Sequence, residues 1–79
     1  MKFKIYVTLK QAVLDPQGKA VEHSLHALGF SDVQGVRIGK FIEVEMSGTD
    51  RQAAAEKVKI MCEKLLANTV IESYRFEVE

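Results

Sequence analysis

Few side chains in this 79-residue chain can do covalent chemistry. Cys62 is its one thiol, and His23 and His26 are its only imidazoles. A cysteine nucleophile needs a base within hydrogen-bond reach and donors for the charge that develops on its substrate. Cys62 falls instead on a helical apolar stripe with Ala54, Val58, Met61 and Leu65, where a thiol packs as a small inert hydrophobe. His23 and His26 stand at i, i+3, a spacing that offers two metal ligands, but no third residue is placed to join them. Gly35, Gly39 and Gly48 build no phosphate loop, because neither G-x-x-x-x-G-K-[ST] nor G-x-G-x-x-G occurs.

What remains is recognition chemistry. Arg37 and Lys40 flank Gly39 and offer cations to an anion or to a carboxylate on another chain. Asp15, Gln17 and Gly18 cluster where a helix should begin. A glycine in a first helical turn suits either close approach by another chain or a fraying turn that tolerates it. Asp15 and Gly39 also have structural duties in this reading, a helix cap and a turn.

The elements that carry these residues are legible from periodicity. Residues 2–10 alternate, with Phe3, Ile5, Val7 and Leu9 on one side and Lys2, Lys4, Tyr6, Thr8 and Lys10 on the other. Asp15-Pro16 reads as a helix start: Asp accepts from free N–H groups, and Pro fits the first helical position. Val21, Leu25 and Leu28 share one helical face, and Gly29 suits the left-handed residue that ends it. Val36 and Ile38 predict a second strand, Gly39-Lys40 a turn, and Phe41–Met46 a third strand with Ile42, Val44 and Met46 inward. Ser47-Gly48-Thr49-Asp50 breaks that strand and caps a second helix. Residues 69–79 predict a last strand, with Tyr74, Phe76 and Val78 on one side.

The order is β-α-β-β-α-β, a ferredoxin-like α+β fold with an antiparallel sheet and two helices on one face. In that topology the first strand lies between the third and the last. Its lysines then face Glu43, Glu45, Glu77 and Glu79, an arrangement that cross-strand electrostatics favours.

Size and charge bound the function. The chain is a single domain, residues 1–79, too small to bury a large core, so oligomerisation is expected. Eleven basic and eleven acidic residues leave no positive surplus for nucleic acid. No segment is long and apolar enough to span a membrane, the N-terminus does not read as a signal peptide, and a lone cysteine fits a reducing compartment. A cytoplasmic location follows as an expectation. A metal-chaperone domain would need C-x-x-C, and an RNA-binding sheet would need more aromatics than Tyr6 and Phe41.

Over almost its whole length the chain resembles the PurS family, the small subunits of bacterial and archaeal phosphoribosylformylglycinamidine (FGAM) synthase. The resemblance rests on Asp15-Pro16-Gln17-Gly18, Ala20, Leu25, Leu28-Gly29-Phe30 and Val36-Arg37-Ile38-Gly39-Lys40. It continues through Leu66-Ala67-Asn68-Thr69-Val70-Ile71-Glu72-Ser73-Tyr74-Arg75, where Thr69 and Ser73 depart from the family's usual Pro and Asp. The resemblance implies a subunit of a glutamine-hydrolysing, ATP-dependent C–N ligase of purine biosynthesis, without catalytic residues of its own. Its implied partners are a PurQ-like glutaminase, a PurL-like synthetase and further copies of itself, as a homodimer or higher homo-oligomer. No cofactor is expected in this chain, ATP and Mg²⁺ being used by the synthetase. Asp15, Gln17, Gly18, Arg37, Gly39 and Lys40 are the expected assembly contacts. The alternative is a stand-alone small-ligand sensor built on a ferredoxin-like dimer.

Overall fold

The structure, a computed structural model, describes residues 1–79. Its elements are β1 (Lys2–Leu9), α1 (Pro16–Ala27), β2 (Gly39–Glu45), α2 (Arg51–Met61) and β3 (Glu72–Val78), with a π turn over Cys62–Leu66 closing α2. The sheet is antiparallel in the order β2-β1-β3, so β1 is central, as its lysine-rich face implies.

Alternation along β1 places Phe3, Ile5 and Val7 inward, each at most 1% exposed. In register with them stand Val44 and Ile42 of β2 and Val78, Phe76 and Tyr74 of β3. Ala54, Val58 and Cys62 come down from α2 at i, i+4 and i+8 to complete the core with Ala67. Leu65, expected on that stripe, is 81% exposed. The π turn is the reason: its bond from the Ala67 amide to the Cys62 carbonyl (3.0 Å) inserts one extra residue. The helical phase slips, and Leu66 and Ala67 turn inward in place of Leu65.

The chain keeps the ferredoxin-like course, but one of its four expected strands stays outside the ladder. Val36–Ile38 forms no strand, and Gly39-Lys40 opens β2 instead of making a turn. The amide of Ile38 is spent on the Asp15 side chain, which holds this stretch against α1.

The two helices differ in attachment. α2 lies over the inner sheet face, whereas Gly18 is the one buried residue of α1. α1 approaches the sheet by its first turn only. The molecule therefore measures 49 × 25 × 14 Å, with a radius of gyration of 16.1 Å. A compact chain of this length would have a radius of gyration of about 12 Å.

Candidate functional site

The site is built on Asp15. Its backbone is extended just before Pro16, and its Oδ1 accepts from the Gly18 amide at 2.9 Å, capping α1 as the sequence indicates. The second oxygen has a different use: Oδ2 accepts from the Ile38 amide at 2.7 Å, across 23 residues. Asp15 is 3% exposed. The Ile38 and Gly18 amides hold its carboxyl below the ordinary 3.8, with the nearby Arg37 charge adding to them against the opposing effect of burial.

Gly18 and Gly39 both serve close approaches within the chain. A Cβ on Gly18 would strike the Val36 carbonyl oxygen, so the glycine admits a close approach of the chain's own backbone. A Cβ on Gly39 would strike the Val7 carbonyl oxygen, which accounts for glycine at the first residue of β2. Arg37 works from the other side. Its Nη2 donates to the carbonyls of Lys10 (2.9 Å) and Val13 (3.0 Å), pinning the β1–α1 loop to the segment before β2.

These contacts shape an open cleft of about 250 Å³ between the first turn of α1 and the end of the sheet. Val7, Leu9 and Ile38 supply its apolar lining, and Asp15, Gln17, Lys40 and Glu72 its polar one. Lys40 faces inward because it shares the parity of Ile42 and Val44, opposite Val7. Glu72 is likewise inward, opposite Leu9. The two approach at 3.8 Å (Nζ to Oε2), and the other Glu72 oxygen accepts from the Asn68 amide at 2.7 Å. The lining holds an amine, carboxylates and an amide, but no hydroxyl, thiol or imidazole.

Of the six residues singled out in the sequence, Asp15, Gln17, Gly39 and Lys40 line the cleft, and Gly18 and Arg37 brace it from behind. Sequence reading missed Glu72 and Leu9. The signal was present: Lys40 and Glu72 are opposite charges at inward parity at the same end of the sheet.

The outer sheet face is a separate surface. Phe41, Tyr6 and Arg75 are direct cross-strand neighbours over β2, β1 and β3. The two rings lie 5.2 Å apart, and the Arg75 guanidinium sits 4.0 Å from the Tyr6 ring centre. Tyr6 donates its hydroxyl to Glu77 at 3.0 Å, which raises its pKa. Lys2 pairs with Glu43 at 3.2 Å and Lys4 with Glu79 at 3.4 Å, so the face largely neutralises itself.

The nucleophile and imidazole candidates lie elsewhere. Cys62 is fully buried, and burial pushes its thiol up in pKa. His26 donates through Nε2 to the Val33 carbonyl at 2.7 Å, tying the end of α1 to the loop that follows.

The comparisons with known proteins agree with one another. The family model for PurS, phosphoribosylformylglycinamidine (FGAM) synthase, matches residues 2–79. The PurS subunit of phosphoribosylformylglycinamidine synthase from Bacillus subtilis (strain 168) is 59% identical over 78 residues, 99% of this chain and 92% of that protein. Its counterpart in Methanocaldococcus jannaschii is 40% identical over 78 residues, 99% of this chain and 94% of that one. Among solved structures, B. subtilis PurS in a C2 crystal form superposes with a TM-score of 0.87 at 59% identity, covering 99% of this chain and 96% of that one. A chain of PurLQS from Thermotoga maritima superposes with a TM-score of 0.88 at 37% identity, covering 96% and 93%.

Proposed function

The chain belongs to the PurS family, and we propose that it is the non-catalytic assembly subunit of FGAM synthase in purine biosynthesis. In this reading it bridges a PurQ-like glutaminase and a PurL-like synthetase in the cytoplasm. The observation that carries the proposal is the likeness to a chain of PurLQS from T. maritima.

The physical logic is that of an adaptor. Glutamine hydrolysis releases ammonia, which loses its nucleophilic lone pair once protonated in water. The glutaminase and synthetase sites must therefore be joined before transfer, and a small rigid subunit can join them without chemistry of its own. The cleft supports this role, since its lining offers hydrogen bonds and an ion pair rather than a nucleophile with its base. ATP and Mg²⁺ belong to the PurL-like partner in this scheme.

The six residues divide the work. Gln17 and Lys40 present side chains to a neighbour, while Asp15, Gly18, Arg37 and Gly39 hold the cleft in shape. Copies of the chain associate with one another as well as with the partners.

The test is FGAM synthase activity of PurL-like and PurQ-like chains with and without this protein, using glutamine or ammonia as nitrogen donor. Rescue of the glutamine-dependent rate alone is the expected result. Indifference of both rates would overturn the proposal and favour the ligand-sensing alternative.

A further inference from the structure

The outer sheet face is neutralised unevenly. At one end Lys2 pairs with Glu43 and Lys4 with Glu79. Further along, Arg75 has only a loose partner. Its nearest carboxylate oxygen, Glu77 Oε2, stands 3.9 Å away, and the other Glu77 oxygen accepts the Tyr6 hydroxyl. That separation is too long for a hydrogen bond. Lys10, exposed and of the same parity as Thr8, adds a second cation at this end.

Arg75 is nevertheless held in place, because its guanidinium lies 4.0 Å from the centre of the Tyr6 ring. A guanidinium stacked on a ring keeps its in-plane N–H donors for an anion, and holding it in advance lowers the ordering cost of binding. Beside it is a hollow of about 150 Å³, lined by Tyr6, Thr8, Ser73, Tyr74 and Arg75. Thr8 and Ser73 are direct partners across β1 and β3, so both hydroxyls rise from this face next to the guanidinium. Gly39 is the partner of Thr8 on β2 and leaves that flank without a side chain. The hollow is smaller than an ordinary small-molecule pocket, so it suits one group of a ligand rather than a whole one.

The donor set selects the group. A carboxylate offers two coplanar oxygens, which a guanidinium alone satisfies. A guanidinium with two hydroxyls and an ammonium nearby suits a phosphate monoester, which brings three acceptor oxygens and about two negative charges. Past Tyr6 the row continues to Phe41, whose ring lies 5.2 Å from that of Tyr6 and which is 54% exposed. From Arg75 to Phe41 is two strand spacings, about 10 Å. A ribose bridges such a gap between a phosphate and a base. One ring serves one base, so a sheet too poor in aromatics for RNA still suits a single nucleotide.

We infer that this row is a mononucleotide site: the phosphate of a nucleoside monophosphate sits in the hollow on Arg75, Thr8 and Ser73, and its base stacks on Phe41. The site lies on the sheet face opposite the cleft, so it gives the assembly subunit a ligand without drawing on the Gln17 and Lys40 side chains.

The test is a titration of the isotope-labelled native chain with AMP, into the millimolar range at low ionic strength, followed by amide chemical shifts. Saturable shifts centred on Thr8, Ser73, Arg75 and Phe41 are expected. Inorganic phosphate should move the first three and spare Phe41, and adenosine should bind more weakly than AMP. Arg75→Gln should weaken AMP binding about tenfold or more. Phe41→Leu should weaken it about fivefold or more and leave phosphate binding unchanged. Both side chains are exposed, so the fold should persist, and thermal melts check it. Thr8→Val with Ser73→Ala supplies the same anion test should Arg75→Gln unfold the chain. No saturable shift, shifts centred elsewhere, or AMP binding indifferent to the loss of these donors would overturn the site. Phosphate binding as tightly as AMP, with Phe41 unmoved by either, would overturn the nucleotide. None of these outcomes alters the activity test of the assembly reading, so the two fail separately.

Discussion

Asp15 and Ile38, 23 residues apart, are joined by a 2.7 Å hydrogen bond from the Ile38 amide to the Asp15 carboxylate. The other oxygen of the same carboxylate caps α1 at Gly18. One side chain thus starts a helix and fastens the segment entering β2. It decides that Val36–Ile38 is a tether rather than a strand.

This carboxylate should leave a mark on acid stability. Its folded pKa lies below 3.8, so the folded state favours the ionised form more than the unfolded chain does. The stabilisation is complete above the unfolded value and is lost as pH falls through the depressed folded value. Asp15→Asn should therefore lower the melting temperature at neutral pH, and the gap from the native chain should narrow below about pH 4. Thermal melts between pH 2 and pH 7 check this. A gap independent of pH would remove the charge of Asp15 from the account.

Gly18→Ala tests the close approach behind the same clamp. In an open helix the change should stabilise by about 1 kcal/mol. Here the added Cβ strikes the Val36 carbonyl oxygen and crowds the Asp15 carboxylate, neither of which can yield without breaking the clamp. Overpacking of that kind costs about 1–3 kcal/mol, so the net sign reverses to destabilising. Urea unfolding measures it, and a stabilised variant would show that the tether moves freely.

The sequence carried the fold's periodic parts and not its exceptions. β1, the cap at Asp15-Pro16, and the end of α1 at Gly29 were all legible, because each is a local signal read off neighbouring residues. Gly29 has φ +100°, and the bonds from the Gly29 amide to His26 and from the Phe30 amide to Leu25 close the helix as expected. The misses were non-local. Val36–Ile38 has the composition of a strand, but a carboxylate from α1 claimed one of its amides. Leu65 fits a 3.6-residue period that the π turn interrupts. The six candidate residues gathered at one cleft, yet Gly18 and Arg37 turned out to brace it from within the chain. No spacing rule announces contacts such as those of Arg37 with two carbonyls 24 and 27 residues away.

Tyr74 offers a spectroscopic handle on the π turn. Its hydroxyl donates to Glu63 at 2.6 Å. That bond, with burial and the Glu63 charge behind it, pushes the phenol up to about 12. The folded state therefore holds the phenolic proton more tightly than the unfolded state does. The associated stabilisation is present below the ordinary value of 10.0 and is lost as pH rises from there towards about 12. Ultraviolet titration of the native chain should show Tyr74 ionising about two units late, and Glu63→Gln should bring it back towards the ordinary value. A native titration with both tyrosines near 10 would show that the Tyr74–Glu63 bond does not persist in solution.

Arg37 and Lys40 should separate bracing from contact. Lys40 meets Glu72 only at 3.8 Å, and its side chain is 57% exposed. An exposed pair of that kind contributes about 0–1 kcal/mol, so Lys40→Ala should leave melting almost unchanged. If its ammonium meets a carboxylate on a partner, the same substitution should weaken assembly with the PurL-like and PurQ-like chains and lower the glutamine-dependent rate, sparing the ammonia-dependent one. Arg37→Ala removes two hydrogen bonds to the β1–α1 loop and should affect both readouts, loosening the fold as well as the assembly. Both bonds leave the one Nη2 nitrogen, so Arg37→Lys, with a single ammonium of shorter reach, tests whether a donor that falls short of that position can still hold the loop. The decisive comparison is Lys40→Ala in a binding titration beside its thermal melt. Unchanged assembly with unchanged melting would remove Lys40 from the contacts and leave Gln17 as the cleft's remaining candidate among the six.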